Sequence, residues 1–266
     1  MKQSNNPVVQ DVCNRFNTVR KISSLFVSGN SAQKGLIISG DAGTGKSYYV
    51  QQAFVDTNTT ENVDYNKSKS FTAAAFYVRL FLNRNQGDVV VFDDCNLEGM
   101  KSGDFMAITD MLKGATEMTK GERIIGWERA QANQLMLQNN VPNEFDFQGS
   151  IIWITNTRFD KLATIFKSHW EAIQSRFIQV PIYLNEQEKL MYTLYLLEEV
   201  GMLEGDICET KEGGYSPEIV AATIKYIRKN YKYINNVTAR VAAKVADTME
   251  NFPDEWEMLL ANQLTN

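Results

Sequence analysis

Apolar residues recur in two rhythms along this chain, and the rhythms separate its strands from its helices. Three short runs are apolar almost without interruption: residues 35–39 (GLIIS), 88–92 (DVVVF) and 151–155 (IIWIT). Runs of that length, rich in Val and Ile, predict strands buried on both faces. Residues 177–184 add a further strand around Ile178, Val180 and Ile182. Elsewhere the apolar positions fall at helical spacing. Val8, Val9, Val12, Phe16, Val19, Ile22 and Phe26 predict a helix over residues 8–28, and residues 46–54, 71–82 (FTAAAFYVRLFL) and 104–112 predict three more. Residues 56–69 are polar and read as loop with at most one strand. Apolar strands alternating with helices predict a parallel sheet covered on both sides.

From Asn185 onward the texture changes. NEQEKLMYTLYLLEEV reads as an amphipathic helix with Asn185 as its cap. A glycine-containing loop at 212–216 follows, then helices over 217–229 and 237–251, with no clear strand. The chain is therefore expected to form an α/β domain over residues 1–183 and a small all-helical domain over residues 184–266.

Composition narrows the classes. Hydrophobic residues make up 44% and charged residues 22% of the 266, enough for a buried core and incompatible with wholesale disorder. The net charge of -5 and pI near 5.1 exclude a surface that is basic all over, so nucleic acid would have to meet a local patch. Cys13, Cys95 and Cys208 are widely spaced, odd in number and form no CxxC pair. That pattern argues against a disulfide framework or a zinc site and fits a reducing compartment. The first residues lack a signal-peptide apolar run, and no stretch reaches the roughly 18 apolar residues of a membrane span. The expectation is a cytoplasmic protein without a membrane partner.

The chemistry is concentrated after the first strand. Gly40-Asp41-Ala42-Gly43-Thr44-Gly45-Lys46-Ser47 fits GxxxxGK[ST] in full, between a strand and a helix. Glycines let the backbone curl so that its N–H groups face phosphates, and the helix N-terminus adds its positive dipole end. Lys46 is expected to reach the β- and γ-phosphates of ATP and Ser47 to ligate Mg²⁺ through its hydroxyl, with Tyr48 completing the nucleotide-binding segment. Asp93 and Asp94 stand at the end of the DVVVF strand, where a metal carboxylate belongs. Asp93 is assigned to Mg²⁺ and Asp94 to polarising the attacking water.

On these residues the sequence resembles the AAA+ ATPases, over about residues 30–250, with the texture of a bacteriophage-encoded member. GDAGTGKS is similar to the family's Walker A motif and VVVFDD to its Walker B motif. The resemblance implies a five-stranded parallel sheet flanked by helices and followed by a helical lid. It also implies a catalytic Asn156 at the end of IIWITN, an arginine finger at Arg176 in SRF, and a nucleotide-contacting lid arginine at Arg240 in NNVTARVAAKVADTM. Such proteins work as homo-oligomeric rings, typically hexamers, and a phage member would work in the host cytoplasm. One departure concerns Walker B, where the family's Glu is replaced by the shorter Asp94.

A second departure is the long stretch between Asp94 and Ile151. Strand-like residues on both sides of Thr119-Lys120-Gly121-Glu122 suggest a hairpin insert over about residues 113–130. It is similar to the pore hairpin of AAA+ and superfamily 3 helicases, which would aim Lys120 and Arg123 at DNA; a solvated surface loop is the alternative. His169, the single histidine, has no partner suited to a metal, and Trp127, Trp153 and Phe177 read as core. Tyr226, Tyr231 and Tyr233 interleave with Lys225, Arg228, Lys229 and Lys232, either as a solvated helix or as a nucleic-acid surface. The function expected is ATP hydrolysis driving DNA replication or remodelling, with protein remodelling or a slow nucleotide-dependent assembly switch as alternatives.

Overall fold

The computed structural model describes residues 4–67, 72–95, 100–118, 121–127 and 134–264. In chain order its elements are α1 (Pro7–Val27), β1 (Gly35–Gly40), α2 (Lys46–Thr57), β2 (Val63–Asn66), α3 (Ala73–Leu82), β3 (Val89–Asp93) and α4 (Ser102–Ala115). There follow β4 (Ile124–Gly126), α5 (Gln134–Gln138), β5 (Glu144–Asp146), β6 (Ser150–Thr155), α6 (Phe159–Phe166), α7 (Trp170–Arg176) and β7 (Phe177–Ile182). The remainder carries α8 (Glu186–Tyr195), α9 (Pro217–Asn230), α10 (Ala239–Asn251) and α11 (Trp256–Leu264).

The three apolar runs become β1, β3 and β6, and every residue in each of them is buried. They lie side by side in a five-stranded sheet of order β2-β3-β6-β1-β7, parallel throughout. Burial on both faces explains their composition, since each fully buried Val or Ile side chain contributes roughly 1.5–3 kcal/mol relative to exposure. On one face Phe76 of α3 stacks on Phe92 of β3, with ring centroids 4.9 Å apart, and Trp153 meets Phe166 edge-on at 5.7 Å. The edges are different. β2 is only four residues long and half-buried, with Asp64 bonded to Arg79 on α3, and β7 carries an exposed proline, Pro181. Proline is tolerated there because an edge strand has one unpaired side to its ladder.

The chain divides into two compact units, one of residues 16–41 and 46–183, the other of residues 1–15, 42–45 and 184–266. In the second, the starts of α8, α9 and α10 are specified locally. Asn185 and Glu188 form a reciprocal capping box at α8, Ser216 caps α9 ahead of Pro217, and Thr238 caps α10. Its core includes Leu197, Leu203, Ile227, Val245, Ala246 and Leu260, the last from a helix that the sequence pattern did not announce.

The hairpin expected around Thr119–Glu122 is corrected. Residues 113–115 belong to α4, residues 116–118 form no strand, and β4 pairs antiparallel with β5, some twenty residues downstream. Thr119 and Lys120 lie outside the described residues.

Gly149, between β5 and β6, gives this architecture a sensitive point. A Cβ there would collide with the Asn83 carbonyl oxygen and press on the Phe147 ring at 3.0 Å. Gly149→Ala is expected to destabilise the protein by about 1–3 kcal/mol through overpacking, read as a lower urea midpoint at unchanged slope.

Candidate functional site

Parallel strands in register bring several of the sequence-predicted residues to one end of the sheet. Ile154 of β6 is paired with Ile38 of β1 on one side and with Asp93 of β3 on the other. The segments that follow, the 40–47 loop, Asp94 and Asn156, therefore emerge together at the carboxyl ends of the strands. That is where open α/β sheets hold ligands.

The 40–47 loop is shaped by its glycines. A Cβ on Gly40 would collide with the Ile182 carbonyl, and Gly43 and Gly45 adopt φ of +75° and +103°, a region costly to other L-residues. Within the second unit, the space beside Gly43 is closed by Thr238, whose Oγ1 would lie 3.1 Å from an added Cβ. Asp41 is half-buried, Ala42 exposed and Thr44 buried. Tyr48 is exposed and meets Tyr49 edge-on at 5.3 Å.

Lys46 is buried, and its ammonium sits among acceptors. Nζ donates to Gly40 O at 2.9 Å, to Asp41 O at 2.8 Å and to Asn156 Oδ1 at 2.9 Å. The other end of the Asn156 amide donates from Nδ2 to Asp94 Oδ1 at 2.7 Å. One side-chain amide thus connects the lysine to the carboxylate assigned to water activation. Asp94 itself adopts φ of +57°, and its N–H donates to Ile154 O at 2.9 Å.

Ser47 and Asp93 form a second, adjacent pair, with Ser47 Oγ donating to Asp93 Oδ1 at 2.9 Å. Asp93 is buried, and its Oδ2 accepts from the Tyr65 hydroxyl at 2.9 Å. Burial, then the Asp93 charge, pushes the Tyr65 phenol above its ordinary range. The same two causes push the buried Cys95 thiol up to about 12, which leaves it an inert packing residue. Mg²⁺ is characteristically held by one or two carboxylates with phosphate and water completing its shell. A hydroxyl and a carboxylate 2.9 Å apart suit that demand, and among the described residues no group of three or more His, Cys, Asp and Glu could hold a metal ion by itself.

Tyr65 went unnoticed in the sequence. The available signal was positional: Tyr65 is in register with Val91, so strand alternation puts it on the same sheet face as Asp93.

The other predicted residues have the following surroundings. Arg176, at the end of α7, donates from Nε at 3.0 Å and Nη2 at 2.5 Å to Glu117 Oε2, and from Nη1 to Ala172 O. Arg240 is exposed in the first turn of α10. Arg123 is corrected, since it is buried and not available to a phosphate backbone. Its Nε donates to Phe147 O and its Nη2 to Gln148 Oε1, while Asp146 Oδ1 accepts from its backbone N–H. Burial lowers the guanidinium's pKa, partly offset by Asp146. No helix among the described residues is long and apolar enough to cross a membrane.

Comparison with known proteins adds the following. No family model matches the chain. It is 26% identical over 261 residues to an uncharacterized 36.7 kDa protein of Enterobacteria phage T4 from the nrdC-mobD intergenic region, a match covering 97% of this chain and 75% of that protein. Among solved structures it is similar to domain III of the replication initiation protein DnaA of Thermotoga maritima, with TM-score 0.48, 10% identity, and 96% and 92% of the two chains covered. It is also similar to NtrX of Brucella abortus in complex with ATP, with TM-score 0.47, 11% identity and 98% of this chain covered. For a RuvB mutant of Thermotoga maritima the TM-score is 0.46, with 13% identity and 92% of this chain covered. The chain spans 63% of the NtrX chain and 64% of the RuvB chain. The chemistry of the site rests on its own geometry.

Arg123→Ala is expected to act on stability, costing about 1.5–3 kcal/mol, the range for losing hydrogen bonds to a charged group. Equilibrium unfolding in urea checks this, and an unchanged midpoint would return Arg123 to a surface role.

Proposed function

We propose that the chain binds ATP with Mg²⁺ and hydrolyses it, as an AAA+ ATPase that assembles into a homo-oligomeric ring, a hexamer by family resemblance. The observation that carries the reading is the hydrogen-bonded path from Lys46 through Asn156 to Asp94, lying beside the Ser47–Asp93 pair. It unites a phosphate-directed cation, a water-directed carboxylate and a metal-directed pair of oxygens at the carboxyl ends of adjacent strands.

Each role follows from chemistry of the residue in place. The amides of residues 41–47 and the start of α2 favour a polyphosphate, and the Lys46 ammonium exchanges its present acceptors for phosphate oxygens. Ser47 and Asp93 hold the cation, which when bound neutralises phosphate charge. Asp94 accepts a proton from the attacking water, and Asn156, once released by Lys46, orients that water. Arg176 is read as the finger offered to a neighbouring subunit's nucleotide, and Arg240 as the arginine that the lid contributes in its own subunit.

DNA replication or remodelling is the work read from the resemblance. The assignment of Arg123 to the fold leaves Lys120 as the candidate DNA contact in the insert. Single-stranded DNA is expected to stimulate turnover; stimulation by a protein alone would reassign the substrate to polypeptide, and turnover that only accompanies assembly would assign a switch.

Lys46→Ala is expected to abolish the heat of Mg·ATP binding in calorimetry, whereas Asp94→Asn retains binding and loses turnover. Full turnover by the Asp94→Asn protein would remove that assignment. Arg176→Ala should lower turnover by about 10³-fold, the scale for arginine fingers. Mixing it with Lys46→Ala subunits should restore part of the activity, because the intact finger of a Lys46→Ala subunit then completes the intact nucleotide site of its Arg176→Ala neighbour. Mixed rings that stay inactive would place Arg176 outside the chemistry.

A further inference from the structure

The Tyr65 hydroxyl occupies one oxygen of the carboxylate to which the cation is assigned, and nothing in the reaction scheme above uses it. Among the described residues, the hydrogen bonds that Asp93's side chain accepts come from Ser47 at Oδ1 and Tyr65 at Oδ2, both at 2.9 Å. These two donors have different prospects. Ser47 is itself a cation ligand in the reading above, so its hydroxyl hydrogen bond to Asp93 is lost when it turns to the metal. Tyr65, whose hydroxyl also meets the side chains of Ser47 and Gln51, is not a cation ligand in that reading, and its hydrogen bond to Asp93 can persist.

Tyr65 is also anchored to the element that carries Ser47. Its ring packs edge-on against Phe54 of α2, with centroids 6.2 Å apart, and α2 begins with Lys46 and Ser47. Its backbone is paired in register with Val91 of β3, two residues before Asp93. The Lys67 ammonium lies 5.4 Å from the ring centroid. The ring thus links the later turns of α2 to the end of β3, and its O–H pins the Asp93 carboxylate. A ligating carboxylate held by an outer hydrogen bond has fewer orientations to lose when it takes a metal.

We infer that Tyr65 is a positioning residue for the cation: its hydroxyl fixes the Asp93 carboxylate through Oδ2 so that Oδ1 is presented, together with Ser47, to the metal that accompanies the nucleotide. The inference rests on the Mg·ATP reading and deepens it. Tyr65 touches neither phosphate nor water in this role, so its removal weakens metal affinity while leaving the metal-free affinity for nucleotide alone.

The test uses the full chain and Tyr65→Phe, which keeps the ring against Phe54 and deletes only the hydroxyl. Mn²⁺ binding is followed by electron paramagnetic resonance in the presence of saturating non-hydrolysable ATP analogue, and analogue binding is measured separately in EDTA. The variant is expected to bind Mn²⁺ about 10-fold or more weakly, as for other outer partners of metal ligands, with unchanged affinity in EDTA. In an Asp93→Asn background the same substitution should add little, because the carboxylate it positions is gone. Equal Mn²⁺ affinity in Tyr65→Phe and the parent overturns the assignment of Tyr65 and leaves the nucleotide reading standing. An equal loss in EDTA also overturns it, marking Tyr65 as structural. A parent protein that binds no Mn²⁺ with the analogue overturns the nucleotide reading itself, and the inference with it.

Discussion

A lysine ammonium withdrawn from water has to be surrounded by acceptors, and this requirement organises the carboxyl end of the sheet. Removing an ammonium from solvent costs several kcal/mol after relaxation, a loss that only well-placed oxygens offset. Lys46 meets the requirement with two backbone carbonyls from its own loop and the side chain of Asn156. The carbonyls depend on the loop's glycine-rich curl. The third acceptor depends on β6 lying next to β1, because Asn156 leaves the sheet just beyond that strand. Since its oxygen faces the lysine, the nitrogen of the Asn156 amide is left to face Asp94.

The two carboxylates at the end of β3 are consecutive yet live under different constraints. Asp93 is still in the strand, buried and gripped at both oxygens, whereas Asp94 has turned into the left-handed region at φ +57°. Short side chains such as Asp and Asn are several-fold enriched in that region because they tolerate it and bond locally. An aspartate in place of a glutamate at this point thus has a conformational reason: the backbone turns where the shorter acid is the easier fit. The side chain's reach to Asn156 compensates for the turn.

Much of this was legible in the sequence, for a physical reason. Strands buried on both faces cannot alternate with polar residues, so GLIIS, DVVVF and IIWIT announced β1, β3 and β6, and the glycine-rich loop GDAGTGKS overlaps the end of the first of these. The hydrogen bonds that join Lys46, Asn156 and Asp94, and Ser47 and Asp93, follow from the adjacency of those strands. What was not legible depended on pairing at a distance. β4 has only three residues and finds its partner after α5, so no local rhythm shows where it pairs, and Arg123 beside it looked like a solvated cation when its guanidinium is in fact a buried tie to Phe147 and Gln148. Tyr65 was hidden because β2 is a polar edge strand whose one aromatic gains meaning only from its register with β3.

The character of the two sheet edges limits how copies of this chain can join. One edge is a four-residue strand whose Asp64 is held by Arg79, and the other presents a proline, which lacks a backbone donor. Neither offers the long, flat, unpaired ladder on which a strand from another molecule would template, and such interruption is how natural sheets resist runaway association. Any assembly of subunits is therefore driven towards contacts between side-chain surfaces, whose affinity can be tuned by a bound ligand, and away from continuous backbone pairing, which is tight, sequence-tolerant and hard to reverse.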